Sequence, residues 1–278
     1  MSYRIQILSR HASHNVLREQ LIRLPFKSRV RLGSVTEKPD DNERVVINSV
    51  QAIKNAANKE LTKLCFDSAG IKTAPWFIYY GDGKFAHPPV EVPIEEHELI
   101  FPLIAKHKFG SRGTGNYLLK NIHEFTQWKE GRALGSYIYE VYLPYVREYR
   151  LHVSNNGYFY ALRKMLKSDC PSDQLWTRNN NNSVWINEEN PKFDKPANWE
   201  SIVLECVKAL DACGLNLGGF DVKVQSAKKR NGTLRSNPKF FIIEVNSAPS
   251  LGEKTEEKYL QEIPKLAQTL YERRMTND

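Results

Sequence analysis

Apolar and polar positions alternate from Arg4 to Leu8 and again from Ser28 to Leu32, the period-two mark of strands. Helical spacing from His14 to Leu24 lies between them and is terminated by Pro25. A polar loop, Thr36 to Glu43, leads to a short buried run at Val45 to Ile47, so the opening segment predicts a small βαβ-like unit. From Ser49 to Ala69 the residues Val50, Ile53, Ala57, Leu61, Leu64 and Cys65 keep a helical period with Gly70 as the stop, and one long helix is expected. Ile71 to Tyr80 reads as a strand entered through Pro75 and left by a Gly-Asp-Gly turn, ahead of a Pro-rich loop at His87 to Pro93.

Further strands are expected at Leu99 to Lys108, Tyr117 to Lys120 and Tyr137 to Leu143, with a helix at His123 to Lys129. Arg147 to Val153 and Tyr158 to Met165 flank an Asn-Asn-Gly turn, which predicts a hairpin. Asn179 to Asn182 is a polar run in a loop. Trp199 to Cys213 is amphipathic and ends at Gly214; strands at Gly219 to Val224 and Phe240 to Val245 follow, joined by a basic turn, and a helix closes the chain near Thr255 to Arg274. The pattern has no internal repeat and no linker between independent domains. Its class is α/β (α+β).

The 278 residues are 41% apolar and 26% charged, ordinary for a globular chain and incompatible with global disorder. Forty Lys and Arg against thirty-two Asp and Glu give a formal charge of +8, which suits nucleotide phosphates, nucleic acid or an acidic peptide, and equally a solvated basic surface. No apolar stretch approaches the ~18 residues needed to cross a bilayer, and the first residues read as a strand and not as a secretion signal. Cys65, Cys170, Cys206 and Cys213 form no CxxC pair, so a reduced, cytoplasmic chain without structural zinc is expected. His11 and His14 are three apart but lack an HExxH frame or a neighbouring carboxylate, and no metal is expected there.

Two segments carry chemistry. Between expected strands, Gly110, Gly113 and Gly115, with Ser111 among them, allow backbone N–H groups to turn inward on an anion, and Lys106 leaves the preceding strand toward the same place. The segment is neither a P-loop nor a Rossmann loop, because Asn116 and Tyr117 stand where Lys and Ser/Thr must be and a strand follows. Downstream, Glu244 and Asn246 are two apart on one strand and share a face. Pairing with the strand of Asp221 brings two carboxylates and an amide onto one patch, a hard-cation site suited to Mg²⁺. Between these segments lie Glu148 and Arg150 on one strand face, Lys164 at the end of the next strand, and Arg178 and Asn180 in a loop. Cations, glycine loop and carboxylate patch together point to phosphoryl transfer.

The order of these pieces resembles the ATP-grasp superfamily, specifically carboxylate–amine ligases of the ribosomal-protein glutamate ligase and glutathione synthetase type. The resemblance spans Asn48 to Leu251. It is carried by Lys59 with Thr62, by Ala69-Gly70-Ile71 through Pro75, and by Lys106 with the glycine loop. Tyr139 to Pro144, Thr177 to Asn180, and Asp221 with Glu244 and Asn246 complete it. It implies an ATP-grasp fold in which two α+β lobes grip ATP behind a shortened N-terminal βαβ lobe: residues 1–70 for that lobe, 71–139 for the central subdomain and 140–278 for the C-terminal subdomain. It further implies that Lys59 and Lys106 contact the nucleotide, that Glu140, Val141 and Leu143 hold adenine, and that Glu148 contacts ribose. Arg178 and Asn180 would steady the γ-phosphoryl, Arg150 and Lys164 would line the substrate side, and Asp221, Glu244 and Asn246 would bind two Mg²⁺ (or Mn²⁺) ions.

The implied reaction is ATP-dependent amide formation through an acyl phosphate, with a carboxylate substrate and an amine acceptor (amino acid, peptide or protein tail). Departures from the family are a short first lobe, His107 where Pro is common, and the basic turn Lys228-Lys229-Arg230 with Arg235 and Lys239. The alternatives are an ATP-grasp kinase acting on a hydroxyl, and a nucleic-acid-binding protein without membrane contact. The sequence leaves oligomeric state open.

Overall fold

The structure is a computed structural model that describes residues 1–9, 11–82, 84–86, 99–110, 114–179 and 181–277. Its first strand is interrupted: β1 (Tyr3–Arg4) and β2 (Gln6–Leu8) flank the buried Ile5, because the two halves take different partners. After a short helix α1 (Asn15–Gln20) come β3 (Arg23–Leu24), β4 (Ser28–Arg31) and β5 (Val45–Ile47). β2, β4 and β5 form a parallel sheet in that order, whereas β1 pairs antiparallel with β3.

β4 is buried along its length although it reads Ser-Arg-Val-Arg. Arg29 and Arg31 are tolerated inside because the polar loop supplies their counter-ions. Arg29 meets Asp40 at 2.7 Å and also Asp41, Arg31 meets Asp41, and Gln6 accepts from Arg29 at 2.8 and 3.1 Å. Hydrogen bonds from Arg29 and Arg44 hold the Asp40 carboxyl down to about 2. Burial pushes Asp41 up, but Arg29 and Arg31 outweigh it and leave it lowered as well. Both folded values lie below the unfolded ones, so these acids add stability above the ordinary carboxylate range and lose it as pH falls toward about 2. Thermal midpoints followed by circular dichroism are expected to drop between about pH 4 and pH 2, and Asp41→Asn should flatten that drop. An unchanged slope in the variant contradicts the assignment.

The long helix expected over Ser49 to Ala69 is two helices, α2 (Val50–Ala57) and α3 (Lys59–Ser68). Asn58 breaks it: its backbone is extended (φ −110°, ψ 115°) and its side chain accepts from the Glu60 N–H, capping α3. The freed N–H of Lys59 donates to the Lys108 carbonyl at 2.9 Å, which ties the start of α3 to the glycine-rich segment. Gly70 ends the pair in a left-handed conformation, φ +60°.

Next come β6 (Trp76–Gly81), β7 (Lys84–Ala86), β8 (Leu103–His107), β9 (Asn116–Leu119), α4 (Ile122–Lys129) and β10 (Tyr137–Val141). The strands form an antiparallel sheet in the order β7-β6-β10-β8-β9, backed by a small aromatic core around Tyr79, Phe125 and Tyr139. β10 stops at Val141, short of the expected Leu143: the Tyr142 N–H still donates to the Pro102 carbonyl in the same register, but Pro102 has no N–H to continue the ladder.

The last body holds β11 (Arg147–Ser154), β12 (Gly157–Leu166), β13 (Ser183–Asn187), α5 (Trp199–Ala212), β14 (Leu217–Val224), β15 (Phe240–Asn246) and α6 (Glu253–Asn277). Its sheet is antiparallel in the order β13-β12-β11-β14-β15. One face is apolar: Tyr149, Leu151, Phe220, Val222 and Ile242 pack on α5 and on α2 and α3. Alternation forces Glu148, Arg150 and Asp221 to the opposite face. α6 packs on the parallel N-terminal sheet through Tyr259, Ile263 and Leu266. Ser154 and His152 of β11 reach it through Glu262 (2.6 Å) and the Tyr259 hydroxyl (2.9 Å). β13 has no counterpart in the sequence reading, since its buried-side positions are Ser183, Trp185 and Asn187 while Val184 is exposed. Among the described residues no helix is long and apolar enough to cross a membrane, and the four cysteines are free thiols.

Candidate functional site

The polar face of the C-terminal sheet is ordered in rows by its register. Glu148 of β11 stands between Lys164 of β12 and Lys223 of β14, and Lys164 faces Trp185 of β13. One pleat further, Arg150 stands between Leu162 and Asp221, with Glu244 of β15 directly beyond Asp221. Asn246 pairs with Gly219 in the row after that. Charges of opposite sign therefore alternate across the strands, except where Asp221 and Glu244 are direct neighbours.

Asp221 is neutralised by Arg150 in a two-pronged pair, Nε to Oδ1 at 2.6 Å and Nη2 to Oδ2 at 2.8 Å. Burial alone would push this carboxyl up; the guanidinium reverses that and leaves it lowered, while Arg150 is itself raised. Glu244 is less well compensated. Its nearest cation, Lys59, is 3.7 Å away, and desolvation together with the Asp221 charge keeps its carboxyl raised. Asn246 donates to Asp221 Oδ2 at 3.5 Å. Two hard carboxylates and an amide, one carboxylate short of positive charge, fit a divalent cation. Among the described residues no cluster of three His, Cys, Asp or Glu side chains offers a fully charged alternative.

At the other end, Glu140 is the last but one residue of β10. Its carboxylate is shared by Lys106, 2.5 Å from Oε2, and Lys63, 2.7 Å from Oε1, and Lys63 also donates to Thr73 Oγ1 at 2.5 Å. All three side chains are buried. Burial would raise Glu140, but the two ammonium groups override it and hold it at about 2; Lys106 is raised and Lys63 lowered by the same arrangement. The acid expected to hold adenine is thus also the counter-ion of the nucleotide-directed lysine. Lys223 donates to the Leu143 carbonyl at 3.4 Å, and burial lowers it to about 8 against the opposing pull of Glu148. Arg178 stands 3.6 Å from Glu148 Oε2 and donates to the Val146 carbonyl at 2.6 Å. Its own carbonyl accepts from Lys164 at 2.7 Å, and its buried Nε has no partner.

The described ends of the glycine-rich segment lie close together. A Cβ at Gly110 would sit 2.5 Å from the Thr114 carbonyl oxygen, and Gly115 has φ +77° with a would-be Cβ 3.0 Å from that of His107. Lys59 donates to the Gly110 carbonyl, and Lys108 pairs with Glu60 at 2.6 Å, so α3 holds the described part of the loop. Ser111, Gly113 and Asn180 lie outside the described residues.

The remaining expected side chains come together. Lys59, Lys106, Glu140, Val141, Leu143, Glu148, Arg150, Lys164, Arg178, Asp221, Glu244 and Asn246 line one cleft of about 770 Å³, within the range of small-molecule sites; Gly110 and Gly115 do not line it. No residue from Lys228 to Lys239 lines it either. Lys63, Lys223, Trp185 and His11 were not anticipated. Lys223 carried a signal, being two residues from Asp221 and so on the same face. Lys63 carried a fainter one, a charge on the inward helix stripe with Phe66.

No protein-family model and no curated protein matches the sequence. Solved structures do resemble it. A D-alanine–D-alanine ligase from Bacillus anthracis aligns over 99% of this chain and 98% of its own, at 14% identity and a TM-score of 0.63. A biotin carboxylase from Campylobacter jejuni covers 81% of this chain and 48% of its own, at 18% identity and a TM-score of 0.53. An ATP-grasp ligase, PsnB, complexed with a phosphomimetic variant of a minimal precursor, Mg and ADP, covers 83% of this chain and 63% of its own, at 13% identity and a TM-score of 0.52. At such identities the likeness shows the fold, and the chain has the ATP-grasp fold.

Proposed function

We propose that this chain, built on the ATP-grasp fold, is an ATP-dependent carboxylate–amine ligase that forms an amide through an acyl phosphate and releases ADP and phosphate. One observation carries the reading. Away from the start of α6, six cationic side chains (Lys59, Lys106, Arg150, Lys164, Arg178 and Lys223) face four carboxylates on the walls of a single cleft. That excess of positive charge has no carboxylate counter-ion on these walls and suits a triphosphate meeting a second anion. The bound Mg and ADP of one similar structure support a nucleotide as the first anion.

The chemistry follows from repulsion. A carboxylate oxygen attacks the γ-phosphorus of ATP as the bond to the β-phosphate oxygen breaks, and every group involved is negative. Lys106, fixed by Glu140, and Arg178, fixed by the Val146 carbonyl and Glu148, meet the phosphate oxygens without having to reorganise. A divalent cation held by Asp221, Glu244 and Asn246 supplies further neutralisation of the transferring phosphoryl group when bound. Val141 and Leu143 offer backbone groups to the base, and Glu148 borders the sugar. The amine then attacks the acyl carbon; the carbon–oxygen bond breaks and the departing phosphate keeps the amine's proton. Lys59 anchors the glycine-rich loop at Gly110, and the loop keeps water from the acyl phosphate.

The test is turnover of ATP and Mg²⁺ with mixtures of amino acids and peptides, reading ADP, phosphate and product mass. An amide formed in step with ADP and phosphate supports the ligase, a phosphorylated product replaces it with a kinase, and no nucleotide binding sinks both. A second test addresses the loop. Gly110→Ala forces the turn open against the Thr114 carbonyl, so roughly tenfold less amide per ADP is expected with ADP affinity, by calorimetry, unchanged. Unaltered coupling in the variant contradicts the role given to the loop.

A further inference from the structure

Resting on the ligase reading, we propose that Trp185 is a positioning residue: its indole seats Arg150 and Lys164 on the cleft wall so that both cations face the anionic substrate. Trp185 lies on the edge strand β13, on the face that lines the cleft. The Arg150 guanidinium carbon is 4.9 Å from the centre of its ring and the Lys164 ammonium 5.0 Å. Lys164 has no carboxylate ion pair among the described residues; apart from the ring it donates to the Arg178 carbonyl. Its register neighbour Glu148 faces Arg178 as well, at 3.6 Å.

An aromatic ring suits this position where other residue types fail. A carboxylate there would neutralise both cations and compete with the substrate. An aliphatic side chain would leave Arg150 with Asp221 and Lys164 with the Arg178 carbonyl but remove the contact the two cations share. The indole attracts both without taking any of their N–H donors beyond those already given to Asp221 and to the Arg178 carbonyl. The seat matters most for Arg150, whose other partner, Asp221, belongs to the cation-binding patch. Were Asp221 shared with a bound divalent cation, the ring would still hold the Arg150 guanidinium at the cleft.

The full-length protein, Trp185→Leu and Trp185→Phe are compared with inorganic phosphate as the probe anion, by calorimetry and by intrinsic fluorescence, with thermal unfolding as the folding control. Phosphate is expected to perturb a fluorescence component that disappears in both variants. Its affinity is expected to fall on the order of tenfold in Trp185→Leu and no more than about threefold in Trp185→Phe, which keeps a weaker ring. Should the leucine variant not fold, the phenylalanine variant's smaller loss remains the measure. Wild-type affinity in Trp185→Leu, or no response of Trp185 fluorescence to phosphate, overturns the proposal. Its failure is separable from that of the ligase reading. Weakened phosphate binding in a protein that never turns over ATP sinks the ligase and keeps the seat, and amide formation with undiminished phosphate affinity in Trp185→Leu does the reverse.

Discussion

Replacing Glu140 by alanine is expected to destabilise the protein by about 3–5 kcal/mol, the usual consequence of removing one member of a buried ion pair. Here the carboxylate serves two ammonium groups at once, Lys106 at 2.5 Å and Lys63 at 2.7 Å, and all three side chains are buried, Lys106 and Glu140 at the wall of the cleft. Its removal leaves two like charges, Lys63 of α3 and Lys106 of β8, buried without their shared counter-ion. The depressed Glu140 value, about 2, records how strongly the ionised form is preferred. Urea unfolding should show a lowered midpoint at unchanged slope. Adding Lys63→Met to Glu140→Ala should restore part of the loss, because one of the stranded charges disappears. Nucleotide affinity should fall in both variants, since Lys106 loses its anchor. A variant as stable as the wild type would mean that the lysines find other partners, and would remove the basis for treating the three as one unit.

Glu244→Gln is expected to abolish turnover, on the order of a thousandfold, while leaving the fold intact. The carboxylate is about a third open to the cleft (35%), and its nearest cation is 3.7 Å away, so little native stability is tied up in it. Desolvation and the neighbouring Asp221 charge raise its carboxyl against the pull of Lys59, which suits a site that a cation completes. Asp221→Asn should behave differently, losing turnover and roughly 3 kcal/mol of stability together, because the half-buried Arg150 guanidinium loses its counter-ion and one of its two acceptor oxygens. Calorimetric titration of Mg²⁺ or Mn²⁺ into nucleotide-loaded protein gives the second readout and should show weakened cation binding in both variants. Retained turnover in Glu244→Gln would refute the cation patch, whatever the stability of Asp221→Asn.

Period-two spacing was enough to set Glu244 beside Asn246 and Glu148 beside Arg150, because the two-fold pleat is a local property of any strand. Lys63 and Lys223 obey the same local periods and were overlooked, since a lysine at an inward position reads as a solvated charge until its partner is known. Trp185 was out of reach: the strand that presents it turns polar residues inward and Val184 outward, inverting the pattern by which strands are recognised. The break at Asn58 was a choice between a continuous apolar stripe and a side-chain cap, and the cap won because Lys108 supplies a carbonyl for the freed Lys59 N–H.

What the amino-acid order determined by itself is therefore the alternating face of each strand, the hairpin at Asn155 to Gly157, the stop at Gly70 and the presence of acids, amide and cations in a recognisable succession. These depend on neighbours a few residues away. Which charges meet was decided only in three dimensions. The order β13-β12-β11-β14-β15 sets Arg150 against Asp221 across 71 positions of chain, and the meeting of α3 with β10 gives Glu140 two lysines instead of one. An ion pair is fixed by distance and desolvation, and neither quantity exists until the sheets have closed on one another.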